Sequence, residues 1–122
     1  MQRTSSNGNV SLGLVLPNYD EPARLWEAAR TAEQQGFHSV WVTDATLTGY
    51  PWMESLSVLG GLAATTSTVQ IGTSVYILAR RNPVLMAHAL ATLDHLSGGR
   101  MNFGVGVGEK GFRPQEYAIA GV

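Results

Sequence analysis

The sequence predicts an α/β fold in which β-strands and α-helices alternate along the chain. Short apolar or β-branched runs begin near residues 12, 39, 69 and 101, the spacing of a β-α-β unit with its crossover helix. Between those runs the apolar positions move to helical spacing, and proline, glycine or asparagine marks most changes of period. Strands joined through helices in this way are parallel, with right-handed crossovers.

Residues 12–16 are a continuous apolar run, read as a buried strand and closed by Pro17-Asn18. Asp20 is placed to cap a helix beginning at Glu21-Pro22, with Leu25, Ala28, Ala29 and Ala32 on one face and Gly36 as its stop. Residues 39–43 form the second strand, which ends at Asp44 and opens into a loop containing Gly49-Tyr50-Pro51-Trp52. Leu56, Leu59, Gly60 and Ala63 mark the second helix. From 69 to 77 the apolar and β-branched positions alternate as Val69, Ile71, Thr73, Val75 and Ile77, the period of a strand. Asn82-Pro83 is an N-cap followed by proline at the first helical position, where the missing N–H costs nothing. Leu85, Ala89, Leu93 and Leu96 carry that third helix to Gly98-Gly99, and residues 101–107 make a glycine-rich fourth strand.

Four such units are half of a closed (β/α)8 barrel, which needs about 250 residues against the 122 of this chain. The expected architecture is the N-terminal half of a TIM barrel, with parallel strands and outer helices. Residues 1–122 then form a single incomplete domain. Residues 1–9 are a flexible N-terminal segment, 10–107 the β/α units, and 108–122 a tail that reads as the opening of a fourth helix region, cut short. In a half barrel the inward side chains lack their opposing layer and both edge strands are unpaired. A partner is expected to cover them, either a second copy in a homodimer or the missing C-terminal half.

Composition narrows the function classes. Eight Lys+Arg stand against nine Asp+Glu, and beyond Arg80-Arg81 no basic cluster exists, so a nucleic-acid footprint is lacking. Charged residues make up 14% of the chain, below the roughly 25% usual for soluble domains, so little of the surface is laid out for water. No apolar run approaches the roughly 18 residues of a membrane span, and no signal peptide is visible at the N-terminus. The absence of cysteine excludes disulfides and thiol nucleophiles and suits a cytoplasmic protein. His88 and His95 sit seven residues apart on one helix, about 10.5 Å of rise, too far to share a metal ion, and no metal site is expected.

Six stretches taken together are more specific. They are Gly36-Phe-His-Ser-Val-Trp-Val-Thr-Asp44, Thr73-Ser74-Val75, Arg81-Asn82-Pro83, Thr92-Leu-Asp-His-Leu-Ser-Gly-Gly-Arg100, Gly104-Val-Gly-Val-Gly108 and Tyr50-Pro-Trp-Met-Glu54. In this order along residues 10 to 110, apart from the last, they resemble the N-terminal half of the bacterial luciferase-like monooxygenase superfamily. Tyr50-Pro-Trp-Met-Glu54 most resembles its deazaflavin-dependent branch, which uses coenzyme F420. The resemblance implies a barrel that holds a deazaflavin, or FMN as the alternative, at the C-terminal strand ends. It implies hydride transfer or monooxygenation of a small-molecule substrate.

The resemblance also assigns candidate residues. Thr73, Ser74 and Val75 match a cofactor-backing stretch that in this family often contains a non-proline cis peptide; the competing reading is an ordinary strand pair. Asp44 matches a pocket aspartate usually followed by histidine, but Ala45 stands next here, which removes an imidazole from acid/base chemistry. From the residues alone, Asp44 is either a mouth residue or half of a salt bridge. Glu109 matches a Gly-x-Gly-Glu proton donor of some deazaflavin enzymes, against the plain reading of a solvated loop carboxylate. Gly106 and Gly108 allow a ligand to approach the backbone. Gly106-Val-Gly-Glu-Lys-Gly111 spells a dinucleotide fingerprint, but Pro114 leaves no room for the long helix that fingerprint requires. Tyr50 and Trp52 are candidate walls of a substrate pocket. The alternative reading of the whole chain is a catalytically incomplete half barrel, a fragment or assembly subunit without independent activity.

Overall fold

Strands β1 (Gly13–Val15), β2 (Ser39–Val42), β3 (Gln70–Ile77) and β4 (Met101–Gly106) pair in parallel, in the order β1-β2-β3-β4. Helices α1 (Pro22–Gln34), α2 (Ser55–Thr65) and α3 (Pro83–Ser97) make the crossovers, a 3-10 turn (Leu78–Arg80) precedes α3, and α4 (Pro114–Ile119) follows β4. Each strand neighbours the next in sequence, the connectivity of consecutive units in a (β/α)8 barrel. The structure, a computed structural model, describes residues 10–109, 111 and 113–121. The expected flexible segment 1–9 and Lys110 of the glycine fingerprint lie outside the described residues.

The core lies between the helices and one face of the sheet. Leu25, Ala29 and Ala32 of α1, Val58, Leu59, Leu62 and Ala63 of α2 and Leu93 of α3 close over Val40, Val42, Val69 and Ile71. The opposite face carries smaller and more polar groups. There Trp41 donates to Ser39 Oγ at 2.8 Å and Asn102 donates to Gln70 Oε1 at 2.8 Å. A Cβ at Gly72 would strike the Asn102 carbonyl and come within 2.7 Å of the Trp41 ring, so glycine is what lets that indole lie across the strand.

Several sequence expectations are corrected. Residues 12–16 are not a buried strand: β1 is three residues long, Leu12 and Val15 are exposed, and only Leu16 is fully buried, as an edge strand with one partner allows. The N-cap of α1 is Glu21, and Asp20 instead accepts from the Glu21 amide at 2.8 Å. The buried stripe of α2 runs through Val58, Leu59, Leu62 and Ala63, with Leu56 only partly covered. In β3 the alternation holds through Val69, Ile71 and Thr73 and then inverts, exposing Val75 and burying Tyr76, where the register with β4 shifts. Asn82 caps α3 as expected, accepting from Val84 and Leu85 amides. Leu85 and Leu96 are exposed, however, because α3 meets the core chiefly through Leu93.

The N-terminal ends of the strands are tied by two charged side chains. Arg100, buried just before β4, donates all five of its N–H groups. They go to the Ser97, Val69, Ala63 and Thr66 carbonyls and the Thr66 hydroxyl, at 2.6–3.0 Å. Glu33 at the end of α1 accepts from the Ser67 and Val69 amides at 2.8 and 2.9 Å and from both the amide and hydroxyl of Thr68. Burial presses the Glu33 carboxyl upward, but those amide donors outweigh it and bring the pKa down to about 2.

Candidate functional site

At the C-terminal ends of the strands, the chain segments after β2, β3 and β4 converge on a cavity of about 320 Å³. Its lining includes Asp44, Trp52, Arg80, Glu109, Glu116 and Tyr117. A second cavity of about 350 Å³, lined by Ala45, Trp52, Glu54, Arg80 and Arg81, adjoins it through shared residues. A larger groove of about 590 Å³ lies between α2 and α3. It runs along the helix layer and reaches the strand ends through Tyr76, Arg81 and Glu54, the last two shared with the second cavity.

Asp44 lies just past β2 with its side chain 2% exposed. Its Oδ2 accepts from Arg80 Nη2 and the Ile77 amide, both at 3.0 Å, and its Oδ1 accepts from Arg81 Nη2 at 2.8 Å. Of the two sequence readings the salt bridge is the observed one, and the carboxylate lines the cavity as well. Arg80 reaches on to Glu116 Oε2 through Nη1, while its buried Nε has no hydrogen-bond partner among the described residues. Arg81 donates through Nε to the Tyr76 hydroxyl at 2.9 Å and stacks 4.7 Å above that ring. Burial pushes the Tyr76 phenol up from 10.0; the Arg81 cation opposes this and the Glu54 and Asp44 carboxylates add to it. The phenol therefore stays a proton donor across the neutral range, and it reaches Glu54 Oε1 at 3.4 Å.

The glycine-rich strand faces β3 beside this cavity. Thr73 is buried and donates to the Gly104 carbonyl at 2.8 Å. The Ser74–Val75 peptide is cis, Ser74 is exposed, and Val75 is 45% exposed. A Cβ at Gly106 would come within 2.8 Å of Val75 Cγ2, so this glycine leaves room for the valine on the open side. Val105, between the two glycines, projects to the other side of β4 and is 48% exposed there. Gly108 has φ +71°, and the Tyr117 hydroxyl occupies the space a Cβ would need.

Glu109 is exposed on the cavity rim. Trp52 is half-buried there, its ring 5.0 Å from that of Tyr19 and its Nε1 directed at the Thr43 carbonyl at 3.4 Å. Tyr50, by contrast, is 73% exposed and does not line either cavity. The structure thus brings Asp44, Glu109 and Trp52 together, with Thr73, Ser74, Val75, Gly106 and Gly108 along the adjoining strands. Sequence reasoning missed Arg80, Arg81, Tyr76 and Glu116. Arg80-Arg81 was visible as a basic pair after an apolar strand. Glu116 had no local signal, because its amide partners lie 69 and 70 residues away.

Four consecutive parallel β/α units, an open sheet edge and a charged cavity at the C-terminal strand ends are the features of part of a (β/α)8 barrel. The luciferase-like monooxygenase family model matches residues 3–118, and the chain belongs to that family. An F420-dependent glucose-6-phosphate dehydrogenase from Kineococcus radiotolerans is 42% identical over 96 residues, covering 72% of this chain and 28% of that protein. The coenzyme F420-dependent tetrahydromethanopterin reductase from Methanopyrus kandleri superposes with a TM-score of 0.77 at 30% identity, covering 88% of this chain and 30% of the other. The oxygenating constituent of 3,6-diketocamphane monooxygenase from Pseudomonas putida, solved with FMN, has a TM-score of 0.79 at 18% identity. It covers 93% of this chain and 33% of the monooxygenase, and shows the shared fold. The chain spans about 30% of the length of the curated relatives it matches. The family is one of oxidoreductases, with F420-dependent members among the relatives and FMN enzymes sharing the fold. Among the described residues no helix is long and apolar enough to cross a membrane, and no group of three metal-ligating side chains assembles.

Proposed function

We propose that this chain is the cofactor-facing half of an F420-dependent oxidoreductase acting on a small-molecule substrate in the cytoplasm. The observation that carries the reading is the exposed Ser74-Val75 pair at the C-terminal end of β3, with the bare faces of Gly104 and Gly106 turned toward Val75. Such a surface fits the flat face of a deazaflavin ring. Arg80 Nε at the cavity is a buried donor without an acceptor among the described residues. The 42% identity to an F420-dependent dehydrogenase favours deazaflavin over FMN.

When bound, the deazaflavin supplies two-electron hydride chemistry. Thr73, Ser74, Val75, Gly106 and Gly108 would hold it, and Trp52 would wall the substrate. Glu109, exposed at the rim, is the group free to deliver a proton. The lone pairs of Asp44 already serve three donors, so its part is to hold the arginines in place. Fluorescence titration of the purified chain with oxidised F420 and with FMN tests this reading. Saturable binding of F420, tighter than that of FMN, is expected; binding of FMN alone, or of neither, contradicts it.

The sheet itself favours a companion reading. Among the described residues β1 and β4 each have one neighbour, and no second layer covers the Trp41 face. We propose that a further four β/α units cover these surfaces, supplied either by a second copy or by a C-terminal half. Light scattering of this chain at a dimer mass supports the second copy, and a stable monomer excludes it.

A further inference from the structure

We infer that Glu116 is a positioning residue that fixes the shape of the ligand cavity by tying the loop after β2 to the segment after β4. Glu116 sits on α4 and is 4% exposed, an expensive place for a carboxylate unless every lone pair is used. Its Oε1 accepts from the Leu47 amide at 2.7 Å and the Thr46 amide at 3.2 Å, and faces Arg113 Nη1 at 3.6 Å. Its Oε2 pairs with Arg80 Nη1. One side chain therefore joins three segments, following β2, β3 and β4, and all three line the same cavity. Among the described residues both hydrogen bonds between the loop after β2 and α4 end on this one oxygen.

The neighbouring residue completes the fastening. The Tyr117 hydroxyl approaches the Val107 carbonyl at 3.4 Å and fills the space that Gly108 leaves by lacking a Cβ. Glu116 thus sets where Thr46 and Leu47 stand relative to Arg80 and Glu109, without itself being a candidate for proton or hydride transfer. The consequence for ligand binding rests on the deazaflavin reading above, whereas the fastening of the loop does not.

The test compares wild type, Glu116→Ala and Glu116→Gln by amide exchange in NMR spectra and by titration with oxidised F420. Glutamine retains an acceptor for the two amides and loses the charge; alanine loses both. In Glu116→Ala the Thr46 and Leu47 amides should exchange about tenfold faster, and F420 binding should weaken by about the same factor, as expected when one local contact stops holding a loop. Amides of β1, β2 and β3 should keep their protection, which separates this effect from unfolding. Glu116→Gln should restore both properties to within about threefold of wild type, because neutral acceptors still satisfy backbone donors. Unchanged exchange at Thr46 and Leu47 in the alanine variant overturns the inference, as does faster exchange with unaltered F420 affinity. Failure of the wild type to bind F420 contradicts the cofactor reading instead, and the exchange rates alone then decide whether Glu116 holds the loop.

Discussion

Arg100 and Arg80 are both buried arginines, at opposite ends of the same sheet, and their surroundings differ in one respect. At the N-terminal ends of the strands, Arg100 has an oxygen for each N–H, all from carbonyls and one hydroxyl of the adjoining turns. At the C-terminal ends, Arg80 is held by two carboxylates and retains a buried Nε without a partner among the described residues. The first arrangement is complete as it stands and serves stability. The second is incomplete, lies at the same strand ends as the exposed Ser74-Val75 pair and a cavity, and belongs where barrels bind ligands. Hydrogen-bond satisfaction therefore separates the structural end of this fold from the functional one more sharply than charge does.

The largest effect should come from breaking the completed end. Arg100→Met removes five donors and strands their acceptors, and should cost about 3 to 5 kcal/mol in urea unfolding. A loss below about 1 kcal/mol would mean that water replaces the guanidinium freely. Gly72→Ala places a methyl group against the Asn102 carbonyl and the Trp41 ring and should cost about 1 to 3 kcal/mol, with near-ultraviolet circular dichroism reporting the displaced indole.

Glu33→Gln should cost about 1 kcal/mol at pH 7, since charge-assisted amide bonds become neutral ones in a partly solvated site. The folded pKa of about 2 lies below the ordinary 4.5, so the stabilisation is complete above about pH 5 and fades as the pH falls toward 2. The gap between wild type and variant should close over that window, and a constant gap would show that the charge is irrelevant. The smallest effect on stability belongs to the other end. Val75, 45% exposed, should tolerate serine to within about 0.5 kcal/mol while F420 affinity falls measurably.

How much of this was legible in the sequence follows from the range of each interaction. Strand starts, the Asn82 cap and the Gly98 stop depend on neighbours within a few residues, and the structure contains them. Leu85 has the spacing of a core residue yet is 70% exposed, because helical period reports a face and not what packs against it. Val75 falls in phase with Ile71 by sequence, but the register shift beside it turns the strand, and shifts of that kind have no periodic signature. At the site, Asp44 was identifiable as a carboxylate ending an apolar strand. Its guanidinium partners lie 36 and 37 residues on and were unreadable from spacing alone.

The most direct test of a structural end opposed to a ligand-binding end is a chemical-shift map of the isotopically labelled chain titrated with oxidised F420. The account predicts saturable shifts at Ser74, Val75, Gly106, Gly108 and Glu109, with Ser67, Thr68, Val69 and Arg100 unmoved. Shifts centred on the N-terminal strand ends, or no saturable shift at any concentration, would contradict it.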